Sequence, residues 1–416
     1  MRILHLVHQF PPEHVGGTEL YTQALADFQA RRGQHTAVFV PAATPPTSDP
    51  IAPSVENGVT IYRIPLGSQS RPQVFWHTFR QPQLDEAFTA VLAQEQPDLI
   101  HIQHLMGLPL SLVRQIVGAH IPYVVTLHDY WFLCANAQLL TNTNQTVCAG
   151  PVWWVNCARC ALARAGRPYA LPAIPVLAPL LGARHYQLQQ VLRRAQALIA
   201  PSAFVARLYE DQLDFPQQVH VIPHGLEIPA DLPERAPAAA GFHVVYVGGF
   251  SRQKGVHVLV EAFSRLLQPA SLSLAGDPDA DPAYTAELKA LATTAVTFLG
   301  KLDRTAVWEL LARADVVVVP SLWYETFVFV ISEAFAMGVP VIASDLGVLA
   351  DRVQHDMNGL LVPPGDVNGL QQALARLQQN PALRQKLKQG IQPVRSFSSH
   401  AAEVEALYGT ITGAGD

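Results

Sequence analysis

Short apolar, β-branched runs alternate along this chain with longer stretches whose apolar residues recur at helical spacing. Residues 2–8 predict a strand, 19–32 a helix closing at Gly33, and 35–40 a second strand, which is a βαβ opening. The rhythm continues with a strand near 59–64, a helix within 79–96, a strand at 98–103, a helix near 110–119 and a strand at 122–127. Tyr123-Val124-Val125-Thr126-Leu127 offers apolar residues to both faces, as suits a parallel sheet covered by helices on each side.

Residues 134–183 interrupt the pattern with cysteines, tryptophans and prolines and read as an insertion. Regularity returns with a helix at 185–195, a strand at 197–200, a helix opened by Ser202 and a strand at 219–222. Residues 228–241, rich in Pro and Ala without an apolar period, predict an interdomain linker. A second alternating series follows: strands at 242–247, 271–275, 295–299, 315–319 and 339–343, with helices at 256–267, 284–292, 304–314 and 328–337 between them. The fold class is therefore α/β, with two doubly wound, parallel-sheet, Rossmann-like domains. Ligands of such sheets bind beyond the carboxyl ends of the strands, so two of them facing each other predict an interdomain cleft.

At 416 residues, 49% hydrophobic and only 15% charged, the chain has ample material for two cores and is too apolar for bulk disorder. A formal charge of -5 gives no reason to expect nucleic acid as a partner. The first residues hold no export signal and no stretch reaches the length of a membrane-spanning helix, which predicts a cytoplasmic protein.

Both domains open on a glycine-containing loop before a helix. The first holds Gly16-Gly17, where backbone amides and the helix dipole favour an anion; the dinucleotide pattern G-x-G-x-x-G is absent. The second is Gly248-Gly249-Phe250-Ser251-Arg252-Gln253-Lys254-Gly255. Lysine is scarce in this chain, so Lys254 at a helix start stands out as a point charge for a diphosphate, although the loop is not a Walker A sequence. Between Pro320 and Ala343, Glu325 lies in a loop and Glu333 interrupts an otherwise apolar helix. A buried carboxylate without partners is costly, so Glu333 is better read as an acceptor for paired sugar hydroxyls than as a solvated face.

With these motifs the chain resembles the retaining glycosyltransferases of family 4, which have the GT-B architecture. The resemblance runs through Gly16-Gly17-Thr18-Glu19, Leu127-His128-Asp129, Ile222-Pro223-His224-Gly225, Lys254-Gly255, Phe298-Leu299-Gly300, the Glu325/Glu333 pair and Gly338-Val339-Pro340-Val341-Ile342-Ala343. It implies an enzyme that moves a sugar from a nucleoside diphosphate donor to a sugar, glycan or lipid-linked acceptor, in polysaccharide or glycolipid biosynthesis. It assigns Glu333 to the ribose, Glu325 to hydroxyls of the transferred sugar, Lys254 to the diphosphate and His128 to the sugar and acceptor side. Gly16, Gly17, Arg252, Leu299, Thr326, Phe327 and Val328 complete the implied donor site, and no cofactor is required for catalysis. The implied domains are 1–227 on the acceptor side, with the insertion near 134–183, and 242–395 for the nucleotide sugar; 396–416 is expected to be a helix returning to the first domain.

Two positions depart from the family pattern. Gly249 stands where an arginine is usual, with Arg252 as the candidate replacement, and Val328 stands where glycine is usual, adding a β-branched side chain beside the expected sugar pocket. A silent sugar-nucleotide scaffold and a nucleotide-sugar epimerase of the same fold are the alternative readings. Asp277-Pro278-Asp279-Ala280-Asp281 has the Asp-x-Asp spacing of a divalent-metal site, but its prolines and position read as a turn into a helix. Cys157-x-x-Cys160 has zinc-knuckle spacing and, with Cys134 and Cys148, could close a structural zinc site; reduced thiols and a disulfide pair stay open. Arg159, Arg164 and Arg167 beside the apolar stretch 169–181 suggest peripheral contact with the inner face of a membrane, against the plainer reading of packing on its own domain.

Overall fold

A computed structural model describes residues 1–13, 16–42, 52–67, 71–235 and 241–413, with the side chains of residues 71, 72 and 74 left aside. Part of the expected linker, 236–240, lies outside the described residues, as do two residues of the first loop, 14 and 15. The chain divides into two compact units: residues 1–137, 150–223 and 398–416 form the first, and 138–149 with 224–397 the second.

The first unit is built on eight strands, β1 (Arg2–Leu6), β2 (His35–Ala42), β3 (Ser54–Glu56), β4 (Val59–Pro65), β5 (Leu99–Ile102), β6 (Tyr123–Thr126), β7 (Ala197–Ala200) and β8 (Val219–Val221). Their order is β3-β4-β2-β1-β5-β6-β7-β8, parallel except for the edge pair β3 and β4. The order reverses between β1 and β5, so the loops following these two strands flank the crevice where such sheets bind ligands. β5 and β6 are buried at every residue, which is why they read as continuous apolar runs.

The insertion is more regular than its prolines suggest. A helix at Val155–Arg164 is followed by one at Ile174–Arg194, in place of the shorter helix expected at 185–195. Pro175 sits in the first turn, where no N–H is needed, but Pro179 lies inside the helix and removes one backbone bond. Packing compensates: Ile174, Leu177, Ala178 and Leu181 close an apolar seam with Trp154, Ala158 and Ala161 of the neighbouring helix. All four cysteines are thiols, and no group of three or more His, Cys, Asp or Glu among the described residues could hold a metal ion. Cys134, Cys148, Cys157 and Cys160, the residues of the zinc expectation, do not converge here as a set of three or more ligands. Asn136 bridges two of the thiols, its backbone N–H donating to Cys134 Sγ at 3.4 Å and its Nδ2 to Cys160 Sγ at 3.1 Å.

In the second unit, β9 (Phe242–Val247), β10 (Ala270–Ala275), β11 (Val296–Gly300), β12 (Val316–Val319), β13 (Val341–Ser344) and β14 (Gly359–Val362) are all parallel, in the order β11-β10-β9-β12-β13-β14. Counted within the unit this is 3-2-1-4-5-6, the doubly wound dinucleotide-fold order, with its reversal between β9 and β12. The loop with Lys254 follows β9 and the loop with Glu325 follows β12. Topology alone therefore brings the two strongest candidates to one crevice. Apolar cores lie on both faces of this sheet, one including Val244, Phe250 and Leu259, the other Val245, Val317 and Ile331. Among the described residues no helix is long and apolar enough to cross a membrane.

Candidate functional site

The two loops of the second unit are locked backbone to backbone. Leu322 N–H donates to Gln253 O at 2.8 Å, and Gly255, at φ +68°, lies so close to the other loop that a Cβ would stand 1.9 Å from Pro320 O. Only glycine meets both demands. This contact fixes Lys254, whose Nζ donates to Glu325 Oε1 at 2.8 Å and Oε2 at 3.1 Å. The Glu325 carboxylate also accepts from Ser321 Oγ at 2.7 Å and Trp323 Nε1 at 2.9 Å, and the ammonium lies 5.4 Å from the Trp323 ring centroid. A carboxylate only 6% exposed is thus satisfied by a cation and two neutral donors, as burial of charge requires. The residues expected to serve the diphosphate and the sugar are engaged with each other.

Glu333 is 3% exposed in the helix Phe329–Ala336, and its partner is Arg304, whose Nη1 donates to Glu333 Oε1. Arg304 opens the helix Arg304–Ala312 behind the capping carboxylate of Asp303 and keeps an exposed guanidinium. The sequence reading missed it. The 29-residue separation from Glu333 is bridged only by the fold.

Between the glutamates, Val328 adopts φ 63° and ψ 82°, a left-handed backbone that β-branched residues rarely take. Arg352 holds it there. Its Nη1 donates to Phe327 O and, at 2.8 Å, to Val328 O, its Nη2 donates to Ser332 Oγ at 2.6 Å, and its guanidinium lies 4.1 Å from the Phe327 ring centroid. Burial pulls the Arg352 guanidinium down to about 10. His224 packs against the same loop, edge-on to Phe327 at 5.0 Å and stacked on Phe329 at 5.7 Å. The N-terminus of the following helix carries no side-chain cap, which suits an anion.

The other expected donor residues separate into groups. Thr326 and Phe327 lie in this loop, half-buried and buried respectively, whereas Leu299 is on the edge strand β11. Arg252 turns away: it pairs with Glu287 and lies 5.5 Å from the Tyr284 ring centroid, so it does not join Lys254 on Glu325 as a substitute for the arginine missing at Gly249. Asp277 Oδ1 accepts from Asp279 N–H at 2.9 Å and Asp281 caps the helix Pro282–Leu291, so this acidic stretch is turn and cap chemistry.

In the first unit His128 follows β6, and its Nε2 lies 2.8 Å from Gln103 Oε1. A carbonyl oxygen only accepts, so Nε2 carries the proton and Nδ1 is the acceptor nitrogen. The same amide's Nε2 donates to His5 Nδ1 at 3.1 Å and His101 Nδ1 at 2.9 Å. That leaves His5 Nε2 to donate to Gln29 Oε1 at 2.8 Å and His101 Nε2 to donate to Thr126 Oγ1 at 2.7 Å. Tyr408 OH meets His101 Nδ1, and His400 Nε2 lies 2.9 Å from Tyr21 OH, whose ring is edge-on to His128. Burial keeps His5, His101 and His128 neutral, drawing His128 down to about 3, His5 to about 4 and His101 well below its ordinary value. Gly16 and Gly17 begin the helix Gly17–Arg31; Glu19 folds back over Gly16 and lies 3.3 Å from His8 Nε2, and His8 packs on His104. The sequence signal for this network was histidine at the carboxyl ends of three parallel strands.

Two doubly wound units, the second holding paired buried glutamates and cations at its switch point, define a glycosyltransferase of GT-B type. The chain belongs to glycosyltransferase family 4: residues 15–228 match the family described as Glycosyltransferase Family 4, and 241–380 match Glycosyl transferases group 1. It is 27% identical to a glycogen synthase of Mycobacterium tuberculosis over 93% of this chain and 88% of that protein, and 30% identical to a phosphatidyl-myo-inositol mannosyltransferase of Mycobacterium leprae over 47% and 54%. Among solved structures it resembles sucrose-phosphate synthase from Thermosynechococcus elongatus (TM-score 0.75, 25% identity, 99% of both chains). It also resembles Anabaena HepE in complex with UDP-glucose (TM-score 0.69, 19% identity, 98% of this chain and 99% of that one).

Proposed function

We propose that this glycosyltransferase takes its sugar from a nucleoside diphosphate donor seated on the second unit and passes it, with retention of anomeric configuration, to a hydroxyl acceptor in polysaccharide or glycolipid synthesis. The observation that carries the reading is the placement of Lys254, Glu325 and Glu333 around an uncapped helix N-terminus. Carboxylates accept the hydroxyl pairs of ribose and hexose, and amides and the ammonium meet the diphosphate. The fold-level likeness to a protein crystallised with UDP-glucose agrees with it.

In this reading the bond between the anomeric carbon and the diphosphate oxygen breaks while the acceptor oxygen bonds to the same face of that carbon. The acceptor's proton passes to the departing diphosphate. Lys254 and the helix amides offset the charge that grows on the leaving group, so no catalytic cofactor is required. Incubation with a panel of nucleotide sugars, followed by proton NMR of the first-formed product, tests the proposal. Nucleotide release with a retained anomer supports it, and an inverted anomer overturns it.

A further inference from the structure

From residue 130 to residue 209 there is no Asp or Glu, while the stretch holds seven arginines and no lysine. With a total formal charge of -5, the rest of the chain therefore carries -12 (-5 minus 7). Charge is segregated along this sequence to a degree that its total conceals.

The structure gives that segregation a shape. The helices Val155–Arg164 and Ile174–Arg194 form a hairpin whose inner faces share the apolar seam. Apolar side chains also stand outside the seam: Trp153 is 84% exposed, Tyr169 91% and Val176 67%, with Leu171 half-exposed at the turn. Arg159, Arg164 and Arg167 are exposed beside them, and none is in an ion pair among the described residues; Arg164 donates to Asn136 O at 3.2 Å. Large exposed aromatic residues next to arginines without acidic partners are costly in water and favourable at the headgroup boundary of a bilayer.

We infer that this hairpin is a docking surface for an anionic lipid bilayer. The pattern favours a bilayer over a flexible polyanion. A bilayer takes up the exposed aromatic side chains as well as the arginines, whereas a polyanion takes up the cations alone. Charges farther than about 8–10 Å are screened at physiological salt, so the local excess and not the net charge decides. Each arginine near an anionic surface contributes about fivefold to partitioning. Docking rests on the proposed transfer reaction only for its purpose, which is to present the enzyme to an acceptor at the membrane; binding itself needs neither donor nor acceptor.

The test is co-sedimentation of the full chain with vesicles of phosphatidylcholine alone or mixed with phosphatidylglycerol, at low and high salt. Binding is expected only to the phosphatidylglycerol vesicles, to weaken with salt, and to fall at least tenfold in Arg164→Glu/Arg167→Glu and in Trp153→Ser/Tyr169→Ser. Both variants should keep the parent's circular dichroism, melting temperature and affinity for nucleoside diphosphate, which separates loss of docking from failure of the donor reading. Equal binding to both vesicle types, no binding to either, or variants that bind like the parent overturns the proposal. So does light scattering that shows the patch buried in a dimer dispersed by Tyr169→Ser.

Discussion

Arg352 spans the backbone on both sides of Val328, donating to the carbonyl oxygens of Phe327 and Val328 and thereby holding a β-branched residue in a left-handed conformation. Where the family resemblance leads one to expect glycine, this chain has a strained valine and a clamp. Left-handed backbone costs an ordinary residue roughly 1–2 kcal/mol, and charged hydrogen bonds of roughly 1.5–3 kcal/mol are enough to offset it.

Arg352→Met should destabilise the protein by roughly 2 kcal/mol, because two carbonyls lose their donor, a cost reduced in part by removing a buried charge. It should also raise the donor KM. Val328→Gly should be neutral or stabilising alone and should restore much of what Arg352→Met loses. Thermal unfolding and donor kinetics across the double-mutant cycle measure the coupling; additive effects would remove the clamp.

Glu333→Ala should weaken nucleoside diphosphate binding by about 1.5–3 kcal/mol, or some 10 to 150-fold, since a ribose hydroxyl pair loses a charged acceptor. Arg304→Ala should lower the melting temperature, because it leaves the buried Glu333 carboxylate without this partner even though the guanidinium itself is half in water. Calorimetry with UDP, ADP and GDP reads both, and unchanged affinity in Glu333→Ala takes that residue out of the site.

Lys254→Ala should lower kcat far more than it raises KM, because a cation facing the leaving group acts most strongly as charge develops. The buried Glu325 then loses its cation and retains Ser321 and Trp323 among its donors. Steady-state rates decide: a pure KM effect places Lys254 in ground-state binding alone. A chelator added to the parent should leave the initial rate nearly unchanged.

The first unit should be acid-labile. His5 and His128 are held neutral well below pH 6.5, so the unfolded chain binds protons that the folded one refuses. Their stability is fully present above about pH 6.5 and is lost as pH falls toward 4 and 3; for His5 the shift from 6.5 to about 4 corresponds to roughly 3 kcal/mol at most. Melting temperatures from pH 8 to pH 4 check the sign. A flat profile across this window would contradict the buried, neutral assignment.

Much of this was legible in the sequence. Twelve of the fourteen strands followed from apolar period, while β3 and β14 at the sheet edges did not, and Lys254, Glu325 and Glu333 stood out as charges set against glycine or apolar neighbours. The partners were not legible. Arg304 and Arg352 are ordinary surface-type residues in sequence, and only the parallel crossovers bring them to the glutamate segment. Lys254 and Glu325 were read as serving separate parts of the donor, although an ion pair between them follows from the switch-point topology. Pro179 misled because a local rule about helices was outweighed by packing on the next helix.

The hydrogen bond between His101 and Tyr408 joins residues 307 positions apart, and His400 reaches Tyr21 across 379. During synthesis His101 emerges long before its partner: at about 5–20 residues per second the wait is on the order of 15 to 60 seconds. Once β8 has been made, the nascent first unit has all its strands but not the helix Phe397–Thr412 that seals its histidine chain. The second unit, needing nothing from that helix beyond Phe397, can complete its own fold first. The half of the protein made earliest is thus the half that finishes last, and a ribosome stalled before residue 397 would hold an open, protonatable core.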